Sequence, residues 1–115
     1  MVKRLVVGAH YGFRDWLAQR VTAVVMAVFT IYMLVCIAML PAYDNEAWRA
    51  LMSGGLTKFL SFLFALALLY HAWVGVRDIW MDYVQSTALR LSLHVLTLLA
   101  LIGYAGWVAQ ILWRL

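Results

Sequence analysis

Three stretches without a single Asp, Glu, Lys or Arg divide this chain: Val21 to Tyr43, Phe59 to Val76 and Leu91 to Trp113, of 23, 18 and 23 residues. A helix needs about 20 apolar residues to cross roughly 30 Å of hydrocarbon. The outer two runs reach that length, and Gly54, Gly55, Leu56 and Thr57 extend the middle one toward the headgroups. Lipid offers backbone groups no hydrogen-bonding partner, so spanning segments must be helices or closed barrels. Barrel strands alternate over about ten residues, and these runs do not alternate. The pattern predicts an all-α membrane protein with three transmembrane helices, over about residues 20–41, 56–80 and 88–113, in a single domain of residues 1–115.

Composition excludes the soluble alternative. Hydrophobic residues make up 67% of the 115 and charged residues 12%, about half the usual charged share. A soluble domain this small could not bury so much apolar surface. The net charge of +4 and the pI near 9.6 do not point to nucleic acid, because the basic residues stand at span ends, where they anchor and orient helices. Cys36 is the sole cysteine, so no internal disulfide can form, and it reads as a small packing residue in span one.

Those basic residues also predict orientation. Lys3, Arg4, Arg14 and Arg20 precede span one, and Arg77 and Arg90 bracket the second connection. Arg49, Lys58 and Arg114 fall on the opposite side. Six against three puts the N-terminus in the cytoplasm and the C-terminus in the periplasm. Trp16 and Trp80 would mark one interface, Trp48 and Trp113 the other. Signal-peptide apolar cores run about 7 to 15 residues. The first run is longer, so it is expected to stay as a helix.

The first connection opens with Pro41 and a polar cluster through Asp44 and Glu46, which ends helix one. Residues 1–13, with Gly8 and Gly12, read as a loose leader; Asp15 to Gln19 open helix one at headgroup level. The sequence holds no internal repeat, phosphate-binding glycine loop, Ser/His/Asp set or Cys/His cluster.

The segment that can carry chemistry runs from Tyr70 to Tyr83. His71 lies well inside span two, and an ionisable residue at membrane depth is costly and marks a functional site by default. At about 100° per residue, Gly75 falls roughly 40° from His71 around the helix, and Asp78 and Asp82 within about 20°. One face therefore carries a histidine, a missing side chain and two carboxylates. An axial haem ligand needs that combination: an imidazole nitrogen toward iron, and clearance for the porphyrin. The competing reading is a neutral histidine bonding a carbonyl of a neighbouring helix. His94 has no glycine one turn away and reads as an interfacial or packing residue; His10 falls in the leader. Arg20 is either a snorkelling anchor or a cation for a propionate or a quinone. Asp82 and Tyr83 come at least about 15 Å beyond His71. A phenol there can donate a hydrogen bond to a quinone carbonyl, or serve only as an aromatic-belt residue.

The run His71-Ala72-Trp73-x-Gly75, followed by Asp82-Tyr83-Val84, resembles the hydrophobic membrane anchor subunit of bacterial succinate dehydrogenase, respiratory complex II. Arg20-Val21-Thr22-Ala23 and Ala88-Leu89-Arg90-Leu91 match as well, and the likeness covers essentially the whole chain. Where family members often carry a histidine beside the aspartate, this chain has Arg14. The resemblance implies that His71 is one axial ligand of a haem b whose other ligand comes from a second membrane anchor, the cytochrome b subunit. It implies that Tyr83 hydrogen-bonds ubiquinone, and that Asp82 and Arg20 line the quinone and haem-propionate region. It further implies an iron–sulfur subunit and an FAD-binding flavoprotein subunit on the cytoplasmic face of a bacterial inner membrane. The chain itself would bind and position, with succinate oxidised elsewhere. A fumarate reductase anchor, a haem-free structural subunit and a small transporter or channel subunit remain as alternatives. Transporter helices are usually broken by Gly or Pro, and Pro41 is the one proline.

Overall fold

The computed structural model describes residues 11–115, with side chains from Gly12 onward. Four helices follow one another: α1 (Tyr11–Ala38), α2 (Asn45–Ser53), α3 (Gly55–Tyr83) and α4 (Thr87–Trp113). Three of them, α1, α3 and α4, are long and apolar enough to cross a membrane. At 27 to 29 residues each they are about 40 Å long, so their ends project beyond roughly 30 Å of hydrocarbon.

The described residues build no water-excluding core. Their buried apolar side chains are Ala65, Ala67, Val74 and Leu112. Large residues such as Val24, Val28, Ile31 and Leu34 on α1 are more than half exposed, which is stable only where lipid covers them. The helices associate instead through small residues and polar contacts. Thr57, Ser61 and Ala65, one turn apart on α3, are all buried, and such small side chains let backbones approach closely. α3 is the centre: it packs along α1 on one side and α4 on the other, while α1 and α4 share no comparable contact.

Along the α1–α3 seam the contacting residues recur every seven positions on α1 and at steps of six and seven on α3. Asp15, Thr22 and Phe29 on α1 meet Arg77, His71 and Phe64 on α3 in antiparallel order. The Phe29 and Phe64 rings stack at 4.6 Å, and Tyr32 and Thr57 share a hydroxyl hydrogen bond of 2.8 Å farther along. Spacings close to seven keep one stripe of each helix on its partner, as in left-handed coiled coils. On the other flank, the Trp80 indole donates to Thr97 Oγ1 at 2.9 Å, and Phe62 meets Trp113 edge-on at 5.3 Å.

Helix bounds differ from the sequence expectation at three places. The sequence predicts a loose leader through residue 13, but α1 already includes Gly12 and Phe13. A helical glycine costs about 1 kcal/mol; here the turn is held by the stacked Phe13 and Trp16 rings, 6.2 Å apart, and by the Asp15–Arg77 pair. His10, Lys3 and Arg4 lie outside the described residues. α1 stops at Ala38, earlier than residue 41, because Pro41 disfavours helical backbone at Leu40. The first connection contains a helix of its own, α2, capped by Asp44, whose Oδ1 accepts from Ala47 N at 2.8 Å. Caps of this kind are worth about 1 kcal/mol.

The second connection is short, residues 84–86. Arg90 closes it by donating from Nε and Nη2 to the Val84 carbonyl, both at 3.0 Å. That places a cation on the open C-terminal end of α3, where the helix dipole favours it.

Candidate functional site

α3 carries His71 twelve residues before its C-terminal Tyr83, about 18 Å along the axis. The imidazole is half-buried and faces α1. Its Nδ1 lies 3.0 Å from Thr22 Oγ1. The Thr22 hydroxyl also reaches the carbonyl of Ala18 at 2.6 Å and that of Gln19 at 3.2 Å. A hydroxyl has one proton. Both carbonyls only accept, so the hydroxyl donates back into its own helix and accepts from Nδ1–H. His71 therefore bonds a hydroxyl on the neighbouring helix rather than a carbonyl, and only one of its nitrogens is engaged. Nε2 makes no hydrogen bond among the described residues.

Gly75 stands one turn on, along the same face. A Cβ built there would meet nothing within 4 Å. Packing within this chain does not require a glycine at that position, so the missing side chain leaves free volume beside the histidine face.

Toward the same end of the bundle, α1 and α3 enclose a cleft of about 400 Å³ lined by Asp15, Trp16, Gln19, Arg20, Val74 and Asp78. The Arg20 guanidinium carbon sits 5.7 Å from the centroid of the Trp16 ring, within cation–π range. Arg20 is exposed and forms no ion pair among the described residues. Arg77 pairs with Asp15 on α1 and lies 3.7 Å from Asp78. The cleft thus combines one available cation, two carboxylates and a flat aromatic wall.

The predicted residues fall into two groups. His71 lies against Thr22 in the α1–α3 seam and Arg20 lines the cleft, while Gly75 follows one turn after His71 with open space at its Cβ position. Asp82 and Tyr83 stand apart in the last turn of α3, both exposed, with Tyr83 at 80%. An exposed tyrosine at a helix end is available to a partner or a ligand. His94 takes the packing role expected of it. Its Nδ1 bonds the Arg90 carbonyl of its own helix at 2.8 Å, and its ring lies edge-on to Trp73 at 5.8 Å.

Sequence reasoning gave Asp15 and Gln19 only the opening of helix one and Thr22 only a place in a matching stretch, and none of the three a part in the site. The available signal was the spacing of Asp15 and Thr22, seven residues apart on α1, against that of His71 and Arg77, six apart on α3.

Residues 2–107 match the family model of the succinate dehydrogenase/fumarate reductase transmembrane subunit. The chain is 33% identical over 102 residues to the succinate dehydrogenase hydrophobic membrane anchor subunit of Coxiella burnetii (strain RSA 493 / Nine Mile phase I). That alignment covers 89% of each chain.

Proposed function

The chain belongs to the succinate dehydrogenase/fumarate reductase transmembrane subunit family, and from that membership we propose that it anchors a bacterial succinate:ubiquinone oxidoreductase in the inner membrane. In this reading it supplies one axial ligand of a haem b and part of a quinone site. The observation that carries it is the state of His71. One ring nitrogen is held by Thr22, the other is uncommitted, and Gly75 leaves the adjacent face open.

The residues fit a b-type haem. His71 Nε2 would ligate the iron, the Gly75 face would lie toward the porphyrin, and Arg20 would meet a propionate. A second anchor subunit would give the other axial ligand. The haem, when bound, supplies a one-electron redox centre between the iron–sulfur subunit and the quinone. Tyr83 donates its phenolic O–H to a quinone carbonyl oxygen and holds the ring at the end of α3. Asp82, one residue away and exposed, hands on protons from the cytoplasmic side. Reduction to the quinol takes up two protons with two electrons, so a carboxylate on the wet side of the quinone serves the reaction directly. Succinate oxidation belongs to an FAD-binding flavoprotein, and this chain binds and orients.

Within the family, the Coxiella burnetii relative is a succinate dehydrogenase subunit, which favours quinone reduction over the fumarate reductase direction. Purification of the tagged chain from its native membranes tests the reading. A flavoprotein, an iron–sulfur protein and a second small membrane subunit should accompany it, with a reduced-minus-oxidised b-type band. Absence of the band, or of those companions, overturns it.

A further inference from the structure

We infer that Thr22 is a positioning residue for His71, setting through its hydroxyl the tautomer and the donor strength of the imidazole nitrogen presented to iron. The inference rests on the proposed role of His71 and goes beyond it.

Three observations combine. Thr22 Oγ1 lies 3.0 Å from His71 Nδ1. The same oxygen is 2.6 Å from the Ala18 carbonyl, the shorter of the two contacts. Both residues are half-buried in the α1–α3 seam. The hydroxyl donates its one proton to the Ala18 carbonyl, so toward His71 its oxygen can only accept, and Nδ1 carries the ring proton. A neutral imidazole protonated at Nδ1 has its lone pair at Nε2. The chain Nδ1–H to Thr22 O–H to Ala18 carbonyl is two hydrogen bonds long in an environment of low dielectric, where each polarises the next.

Ligating histidines generally donate their second N–H to such a partner, which fixes ring orientation and raises ligand basicity. A more basic imidazole favours oxidised over reduced iron, so this hydrogen bond lowers the haem potential. Its loss should change the ratio of the two affinities by about tenfold, the lower end of the usual second-partner effect. For a one-electron couple that is about 59 mV upward.

The test uses the assembled complex in membranes, with Thr22→Val, Thr22→Ser and His71→Ala made in parallel. Valine keeps the shape of threonine and removes the hydroxyl, whereas serine keeps the hydroxyl and removes a methyl. Redox titration of the b-type band and the electron paramagnetic resonance of the oxidised haem are read in each. The expected result is a higher potential and altered g-values in Thr22→Val, both restored in Thr22→Ser. A purely structural Thr22 would show the reverse pattern, with Val like wild type. If His71→Ala changes the spectrum while Thr22→Val keeps the wild-type potential and g-values, the inference is wrong and the ligand assignment stands. If His71→Ala changes nothing, the ligand assignment itself fails. Should Thr22→Val not assemble, electron–nuclear double resonance on the wild-type complex decides. One axial imidazole must show an exchangeable, hydrogen-bonded Nδ1 proton that is absent after selective deuteration, and lack of that signal overturns the inference.

Discussion

Asp15 on α1 and Arg77 on α3, 62 residues apart in sequence, form an ion pair across the seam that also holds Thr22 against His71. Their side chains are 30% and 25% exposed, so the pair stands between a solvated surface bridge and a buried one. Surface pairs contribute about 0–1 kcal/mol, and stranding one partner of a buried pair costs about 3–5 kcal/mol. Asp15→Asn should therefore destabilise the α1–α3 contact by about 1–3 kcal/mol, most of it the cost of leaving Arg77 with only its longer contact to Asp78. The check is the thermal midpoint of the complex in detergent. The double exchange Asp15→Arg with Arg77→Asp should recover a substantial part of the loss, because the pair re-forms with its sense reversed. A midpoint unmoved by Asp15→Asn would mean that the guanidinium is satisfied elsewhere.

His71 and His94 make a matched pair of histidines on adjacent helices, with different commitments. His94 Nδ1 is bonded to its own helix and its ring to Trp73, while His71 is bonded to a different helix on one nitrogen only. His71→Ala should remove or markedly alter the b-type absorption spectrum, and His94→Ala should leave it in place. Gly75→Leu should also lower haem content. Since a Cβ at Gly75 meets nothing within 4 Å among the described residues, the chain alone should tolerate the leucine, and the conflict should be with the bound group. Wild-type haem content in Gly75→Leu would show that the open face lies elsewhere.

The spans were legible in the sequence because charge is excluded from hydrocarbon at a cost no short chain can offset, leaving uninterrupted runs from Val21, Phe59 and Leu91. His71 stood out by the same rule. α2 was not legible, since nine mixed residues between two spans carry too little periodicity to separate a helix from a loop. Its Asp44 cap shows itself only once the Ala47 amide is placed. Thr22 was hidden for a different reason: a threonine in an apolar helix is ordinary, and its meaning depends on the antiparallel register that brings residue 22 level with residue 71. The Asp15–Arg77 pair needed the same register and also the helical start of α1 at Tyr11.

The charge bias predicts an orientation. Arg14, Arg20, Arg77 and Arg90 lie toward one end of the helices, and Arg49, Lys58 and Arg114 toward the other. Carboxylates contribute little to this bias, so the pairing of Arg77 with Asp15 does not cancel its vote. A reporter fused to the C-terminus should be active in the periplasm and one at the N-terminus in the cytoplasm. The opposite pattern would place Tyr83 and Asp82 on the side away from the proposed iron–sulfur subunit and would end the quinone assignment with it.

Tyr83 is the residue on which the quinone site turns. It is 80% exposed at the last position of α3, about 18 Å along the axis from His71. That exposure is what a side chain needs to meet a molecule held partly by another subunit. Tyr83→Phe removes one hydroxyl and keeps the ring, so packing and any interfacial anchoring are preserved. A hydrogen bond between neutral partners contributes about 0.5–1.5 kcal/mol, so quinone handling should weaken by about two- to tenfold. Succinate-dependent reduction of a water-soluble acceptor should not change, because the proposed function assigns flavin and clusters to other subunits. The ratio of quinone-dependent to artificial-acceptor activity in the same membranes isolates the effect from expression and assembly. Asp82→Asn should lower the same ratio with a different signature. It removes the ionisable group but leaves a hydrogen-bonding side chain, so the maximal rate should fall more than the quinone Michaelis constant rises. If Tyr83→Phe keeps both the ratio and the Michaelis constant at wild-type values, the tyrosine is an interfacial anchor and the quinone binds elsewhere.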